Sequence, residues 1–308
     1  MPEKEPKDGH QDDRQGAEES PLPRFHGHKA DLLGDVSAVV DQSDEDAGAD
    51  AEARRVSFFF RRRRISVENV LKCGIASDPR EARRIARKAW CHFAGHIAEA
   101  LFVPRVVTRE NWREHLDVSR ASEEAVKLLL ETPEKPVLLV SGHHGVWEAA
   151  TNIISFSRPM IAIARRLNSA WAQKFVEKHH FRGPVTLVDK NHGFTPAVLR
   201  QWKEERAALT VLMDQHAWKG ERLDFLGRPA MTVTSAARIA VRSGCPVVIG
   251  SFVRIAPYRY RLVGGTPLEF SRGDDVRRVT QIFNDRLGEA IRQYPEQYLW
   301  SHRRWRED

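Results

Sequence analysis

VLLVSGHHGVWEAA, residues 137–150, joins two kinds of pattern within one short segment. Residues 137–140 are apolar at every position, as in a strand buried on both faces of a parallel sheet. Ser141 and Gly142 end the run, and a helix is expected from about residue 146. The two histidines, His143 and His144, therefore fall at the C-terminal end of a strand, where open α/β sheets place their active sites. Glu148 follows His144 by four residues, which would put both on one helical face. It follows His143 by five, about 140° around a regular helix, so those two meet only across a bend. Gly145 permits such a bend. Spacing alone does not choose between the histidines.

An imidazole, with an ordinary pKa of about 6.5, is suited to taking a proton near neutrality. A carboxylate on its second nitrogen fixes the tautomer and stabilises the imidazolium that forms. Ser141 lies outside any nucleophile-elbow context, so the pair is expected to activate a hydroxyl belonging to the substrate. The alternative is two histidines in a polar turn beside a surface glutamate. No third ligand stands at a familiar zinc spacing, so no metal or cofactor is expected. His179 and His180 read as a solvated helix end.

Outward from this segment, short apolar runs at 160–164, 185–188, 207–213 and 246–253 alternate with candidate helices around 146–156, 169–180, 194–205 and 233–243. This rhythm predicts an α/β fold with a mixed, largely parallel central sheet flanked by helices. Residues 259–263 read as an added antiparallel strand, and 276–292 as an amphipathic helix stopped before Pro295. Upstream, Asp78 and Pro79 open a helix whose apolar residues recur at three and four positions through Leu101. A second helix covers 122–130.

Charge divides the chain. Residues 1–53 hold 15 Asp and Glu against 5 Lys and Arg, a net of −10, while 54–308 hold 27 against 44, a net of +17. The first segment lacks either hydrophobic period and is expected to be disordered. Residues 54–308 form the expected globular domain, whose basic character suits an anionic partner. At its start, RRVSFFFRRRRISVENVL places three phenylalanines between arginine clusters. That composition fits an interfacial membrane segment, or a helix whose rings enter the core. The N-terminus lacks the apolar core of a signal peptide. No run approaches the roughly 18 apolar residues of a membrane span. Cys73, Cys91 and Cys245 follow no disulfide or metal pattern and read as free thiols.

At this point the sequence resembles the bacterial lipid A biosynthesis acyltransferases, the lauroyl/myristoyl branch of the glycerolipid acyltransferase superfamily. The superfamily's histidine, four residues and acid are supplied by His143-His-Gly-Val-Trp-Glu148, which selects His143 over His144. ARRLNSAWAQKFVEKHHFRGPVTLVDK resembles the second block, with Arg165, Arg182 and Lys190 at its basic positions. LTVLMDQHAWKGERLDFLGRPAMTVTSAARIA resembles the third, with Asp214, Gln215, Phe225, Gly227 and Thr232 on pattern. PEQYLWSHRRW resembles the closing signature. The match spans roughly 62–308, with an acidic tail and VSFFF where the family has a hydrophobic anchor.

The resemblance implies acyl transfer from an acyl-carrier-protein thioester to a hydroxyl of a phosphorylated glycolipid, a lipid A precursor. The expected setting is peripheral, at the cytoplasmic face of the inner membrane and against an anionic lipid surface. His143 would be the base and Glu148 its orienting acid. Arg165, Arg182 and Lys190 would bind the substrate in the same cleft, with Asp214 contacting the acceptor or orienting an arginine. Acylation of another glycolipid, such as a phosphatidylinositol mannoside, is an alternative. A non-catalytic basic protein binding membrane or nucleic acid is another, but no nucleic-acid-binding signature is present and no such partner is expected.

Overall fold

The computed structural model describes residues 48–131, 133–164, 169, 181–189 and 193–306, with side chains from Phe59 onward. Arg165, Lys190, the helix expected at 169–180 with its two histidines, and the tail through residue 47 lie outside the described residues.

The segment that opened the reading forms the middle of the molecule. Strand β2 (Val137–Ser141) is buried at all five positions. It belongs to a seven-stranded sheet with β1 (Leu116–Asp117), β3 (Met160–Ala164), β4 (Val185–Asp189), β5 (Ala208–Leu212), β8 (Val247–Ala256) and β9 (Arg259–Gly264). The order is β1-β9-β8-β2-β5-β3-β4. Strands β8, β2, β5, β3 and β4 run parallel, while β9 returns antiparallel on β8 and pairs parallel with β1. The mixed, largely parallel α/β sheet expected from the apolar runs is present, including the antiparallel addition.

Burial on both faces explains why β2 is apolar throughout. Leu138 and Val140 enter one core and Val137 and Leu139 the other. The first core is closed by α1 (Gly48–Lys72), α2 (Pro79–Ala100), α7 (Ser235–Ser243) and α8 (Val276–Gln293). The second is closed by α3 (Val103–Val106), α4 (Glu123–Leu130) and α5 (Trp147–Ser155). The helix α6 (Pro196–Glu204) contributes Trp202, whose indole donates to Val137 O at 3.1 Å and so anchors the start of β2.

Local chemistry sets the helix boundaries. Asp78 accepts from the backbone of Arg80 at 2.7 Å and Glu81 at 3.0 Å, capping α2 ahead of Pro79 as the sequence suggested. Ser122, Thr195 and Asp275 cap α4, α6 and α8 in the same way. Gly244 ends α7 with a φ of 63°, the left-handed conformation glycine adopts freely. Helix α1 begins at Gly48, ahead of the boundary expected at 54. Its Phe59 and Phe60 face outward, 59% and 67% exposed, so these rings do not enter the core.

Sequence reading missed the short α3 and β1 and the hairpin of β6 (Glu221–Phe225) and β7 (Arg228–Thr232). Leu226 and Gly227 join the strands with φ values of 57° and 80°, the paired left-handed geometry of a two-residue hairpin turn.

Gly145 shows how tightly the strand-to-helix crossing is built. Its φ is 74°, and a Cβ there would collide with the carbonyl of Phe252 on β8. Gly145→Ala is therefore expected to destabilise the fold by about 2 kcal/mol or more, measured as a lower urea midpoint. A midpoint unchanged from wild type would contradict this close approach.

Candidate active site

The site follows from strand register. Strand β2 pairs with β5 from Val137↔Ala208 through Ser141↔Leu212. Met213 N continues the ladder onto Ser141 O at 3.0 Å. Carrying the same offset two residues further brings His143 to Asp214. The backbone N–H of His143 donates to Asp214 Oδ2 at 2.9 Å, and its ring Nδ1 donates to Oδ1 at 2.9 Å. Both oxygens of one carboxylate thus hold one histidine. Gly142 makes room, since a Cβ there would come within 3.0 Å of Asp214 Cγ.

The carboxylate accepts only, so Nδ1 carries the proton of the neutral ring and Nε2 keeps a lone pair. Gln215 Nε2 lies 3.3 Å from that atom. The His143 side chain is 20% exposed and the Asp214 side chain 3%, which separates an accessible imidazole from its buried carboxylate partner. Burial alone would raise the Asp214 carboxyl. The charge and hydrogen bonds of His143, together with the field of His302, outweigh it and bring the pKa to about 2.

His144 points elsewhere. It is buried, its Nε2 donates to Tyr294 O at 3.1 Å, and burial pushes its pKa down to about 4. The choice that spacing left open falls to His143 as the accessible ring.

Glu148 corrects an expectation. The carboxylate that holds the His143 ring is Asp214, where the family resemblance implied Glu148. Glu148 lies in the first turn of α5 and forms an ion pair with the buried His96 of α2. The physical reason is the bend at Gly145, which turns the start of α5 toward α2 while the neighbouring strand delivers Asp214 in register. Trp147 stands between the two pairs, with its ring centroid 5.2 Å from His143 and 4.4 Å from His96. His92, one turn earlier on α2, donates to Gly145 O at 3.1 Å. The sequence reading overlooked His92 and His96. Their four-residue spacing on a predicted helix was the available signal.

The closing segment seals the site. Tyr298 is buried and His302 half-buried beside Asp214, and desolvation pushes His302 down to about 4. Arg304 has no exposed surface; it donates to Gln215 O at 3.1 Å, to Thr232 Oγ1 at 2.5 Å and to Met231 O. It therefore fixes the loop that presents Gln215, as a structural cation and not a surface charge.

Arg182 is not in this cleft. It lies just before β4, at the sheet edge where the parallel strands begin, whereas His143 lies where they end. Strands of five residues separate the two edges, roughly 16 Å. Its backbone N–H donates to Asn152 Oδ1 at 3.2 Å and its Nε to Pro104 O at 3.1 Å. No cluster of three or more His, Cys, Asp or Glu suited to a metal occurs among the described residues.

The family model described as Bacterial lipid A biosynthesis acyltransferase matches residues 48–307, and the chain belongs to that family. No curated protein gave a significant match. The protein is accordingly an acyltransferase, and its family implies an acyl donor and a glycolipid acceptor.

Two desolvated imidazoles, His144 buried and His302 half-buried, make stability depend on pH. His144 and His302 sit near 4 when folded, against about 6.5 when unfolded. Between these values the unfolded chain binds more protons, so stability present at pH 7 is lost as pH falls through this window. Asp214, depressed to about 2, loses its contribution only at lower pH. Urea unfolding should show a loss on the order of 2 kcal/mol or more from pH 7 to pH 5. A flat profile over that range would contradict the burial of these rings.

Proposed function

We propose that this acyltransferase moves a fatty acyl chain from an acyl-carrier-protein thioester to a hydroxyl of a phosphorylated lipid A precursor, with His143 as general base. The observation that carries the reading is the His143–Asp214 pair, formed by two adjacent parallel strands at their C-terminal ends. The acceptor hydroxyl replaces the Gln215 amide at Nε2. As its oxygen attacks the thioester carbonyl, Nε2 takes the proton; the C–O bond forms and the C–S bond breaks. The departing thiolate then takes the proton back from the imidazolium and leaves as a free thiol. Asp214 stabilises the transient imidazolium. Glu148, fixed by His96 and a quarter exposed, serves acceptor binding. Arg165 and Lys190, at the basic positions of the family's second block, contact the acceptor's phosphate. Residues 54–308 act as one catalytic domain.

The kinetic ranking of variants tests this assignment. His143→Ala should abolish transfer in a folded protein. Asp214→Asn should lower kcat by on the order of 10²–10⁴. Glu148→Gln should act mainly on KM, and no covalent acyl-enzyme should accumulate. A larger kcat loss for Glu148→Gln than for Asp214→Asn, or an acyl adduct trapped on Ser141, would overturn it.

The setting proposed is the cytoplasmic face of the inner membrane, with peripheral attachment. No helix among the described residues is long and apolar enough to cross a membrane. Support comes from the net charge of +17 over 54–308 and from Phe59 and Phe60 projecting beside the exposed Arg61, Arg63 and Arg64. Basic residues close to an anionic surface contribute about 1 kcal/mol each, a contribution that salt screens. Binding to anionic vesicles should weaken at high salt and when both phenylalanines become serine, and strengthen when residues 1–47 are removed. Co-sedimentation indifferent to all three changes would place membrane contact on another surface.

A further inference from the structure

One sizeable cavity lies away from His143. A cavity of about 540 Å³ opens at the opposite edge of the sheet, between α3, the end of α5 and the residues before β4. Arg105, Arg109 and Arg182 line it, and all three are exposed. Glu110 is its single lining carboxylate among the described residues. None of the three arginines has a carboxylate within ion-pair distance among the described residues.

The position of Arg182 is built rather than incidental. Its backbone is held by the buried Asn152, and its Nε by Pro104 O, so the guanidinium is anchored along one edge. Its two terminal nitrogens make no hydrogen bond to a described residue and remain available as a fork. Gly183 lets this segment close on α5, because a Cβ there would collide with Ser155. Three like charges facing one hollow repel each other, and an anion between them removes that cost. A guanidinium fork matches phosphate oxygens in pairs. The cavity volume lies within the range that holds a small polar ligand. Just before α3, whose Pro104 and Arg105 line the cavity, Leu101 and Phe102 are 46% and 48% exposed, apolar surface that a free anion does not need.

We infer that this cavity is a second anion site, separate from the His143 centre, which takes the phosphoryl group of a lipid headgroup through Arg105, Arg109 and Arg182. Leu101 and Phe102 lie against the acyl region of the same lipid. The site holds the enzyme on a phospholipid while chemistry proceeds at the other edge of the sheet.

The test measures binding alone, so its failure would leave the His143 chemistry standing, and the reverse. The full chain is titrated with phosphatidylcholine vesicles containing phosphatidic acid, and with vesicles given equal surface charge by a fatty acid. The expected result is preference for phosphatidic acid, lost about tenfold or more in the R105Q/R109Q double variant. These two side chains make no described hydrogen bond within the fold, so the variant should unfold at the wild-type urea midpoint. The R272Q/R278Q double variant, which removes equal charge from exposed positions elsewhere, should bind within about twofold of wild type. Millimolar inorganic phosphate should compete only weakly. Equal losses in the two double variants, equal binding to both vesicle types, or inorganic phosphate competing as well as the lipid would each overturn the inference.

Discussion

The register between β2 and β5 is the constraint on which the site depends. One constant offset along the sequence pairs Val137 with Ala208, Ser141 with Leu212 and, beyond the strands, His143 with Asp214. A slip of one residue would turn every β2 side chain to the other face. Burial on both faces alone would not prohibit that slip, because β2 is apolar on each. What fixes it is specific: the Trp202 indole on Val137 O at one end, and the two-point grip of Asp214 on His143 at the other. The pair proposed to carry the chemistry is thus also the terminal lock of the central strand pairing.

Much of the fold was legible because buried parallel strands leave continuous apolar runs, and caps such as Asp78 act locally. The β6–β7 hairpin was not, because Glu221, Arg222, Asp224 and Arg228 interrupt any apolar pattern and Pro229 argues against a strand. The site divides along the same line. His143 was legible from its position after a strand, and the family resemblance selected it over His144. Its partner was misread because sequence spacing reports only neighbours along one helix, and Asp214 arrives from another strand. His96 was overlooked for a related reason: it sits on a helix whose apolar period drew the eye from the four-residue spacing of His92 and His96. Arg182 was matched to a family block, although its place just before the strand expected at 185–188 of a parallel sheet already put it at the edge opposite His143.

Charge is buried at several points, and each is tied to irregular backbone. Arg304 holds the Gln215 loop and the hairpin from inside the protein, near Asp214. Arg158 does the same at the opposite edge, donating to Lys135 O at 2.6 Å and to the carbonyls of Leu128 and Arg206. Desolvation lowers its pKa to about 10. Glu99 accepts from Arg254 Nε at 2.5 Å and Tyr260 Oη at 3.0 Å, which pins the end of α2 to β8 and β9. That contact decides where His92 and His96 hang over the site. Such groups cost desolvation, and losing one partner leaves the other buried and unpaired. Their return is geometric: loops that could adopt many conformations are held in one.

The central claim is that Asp214 holds the His143 ring with its proton on Nδ1, leaving the Nε2 lone pair to accept from the acceptor hydroxyl. Nitrogen-15 NMR of the histidine side chains reads that tautomer directly. The account predicts that the neutral His143 ring carries its proton on Nδ1 in the wild-type protein, and that this preference weakens in Asp214→Asn while Glu148→Gln leaves it unchanged. A ring protonated on Nε2, or a tautomer that follows Glu148 and ignores Asp214, would contradict it.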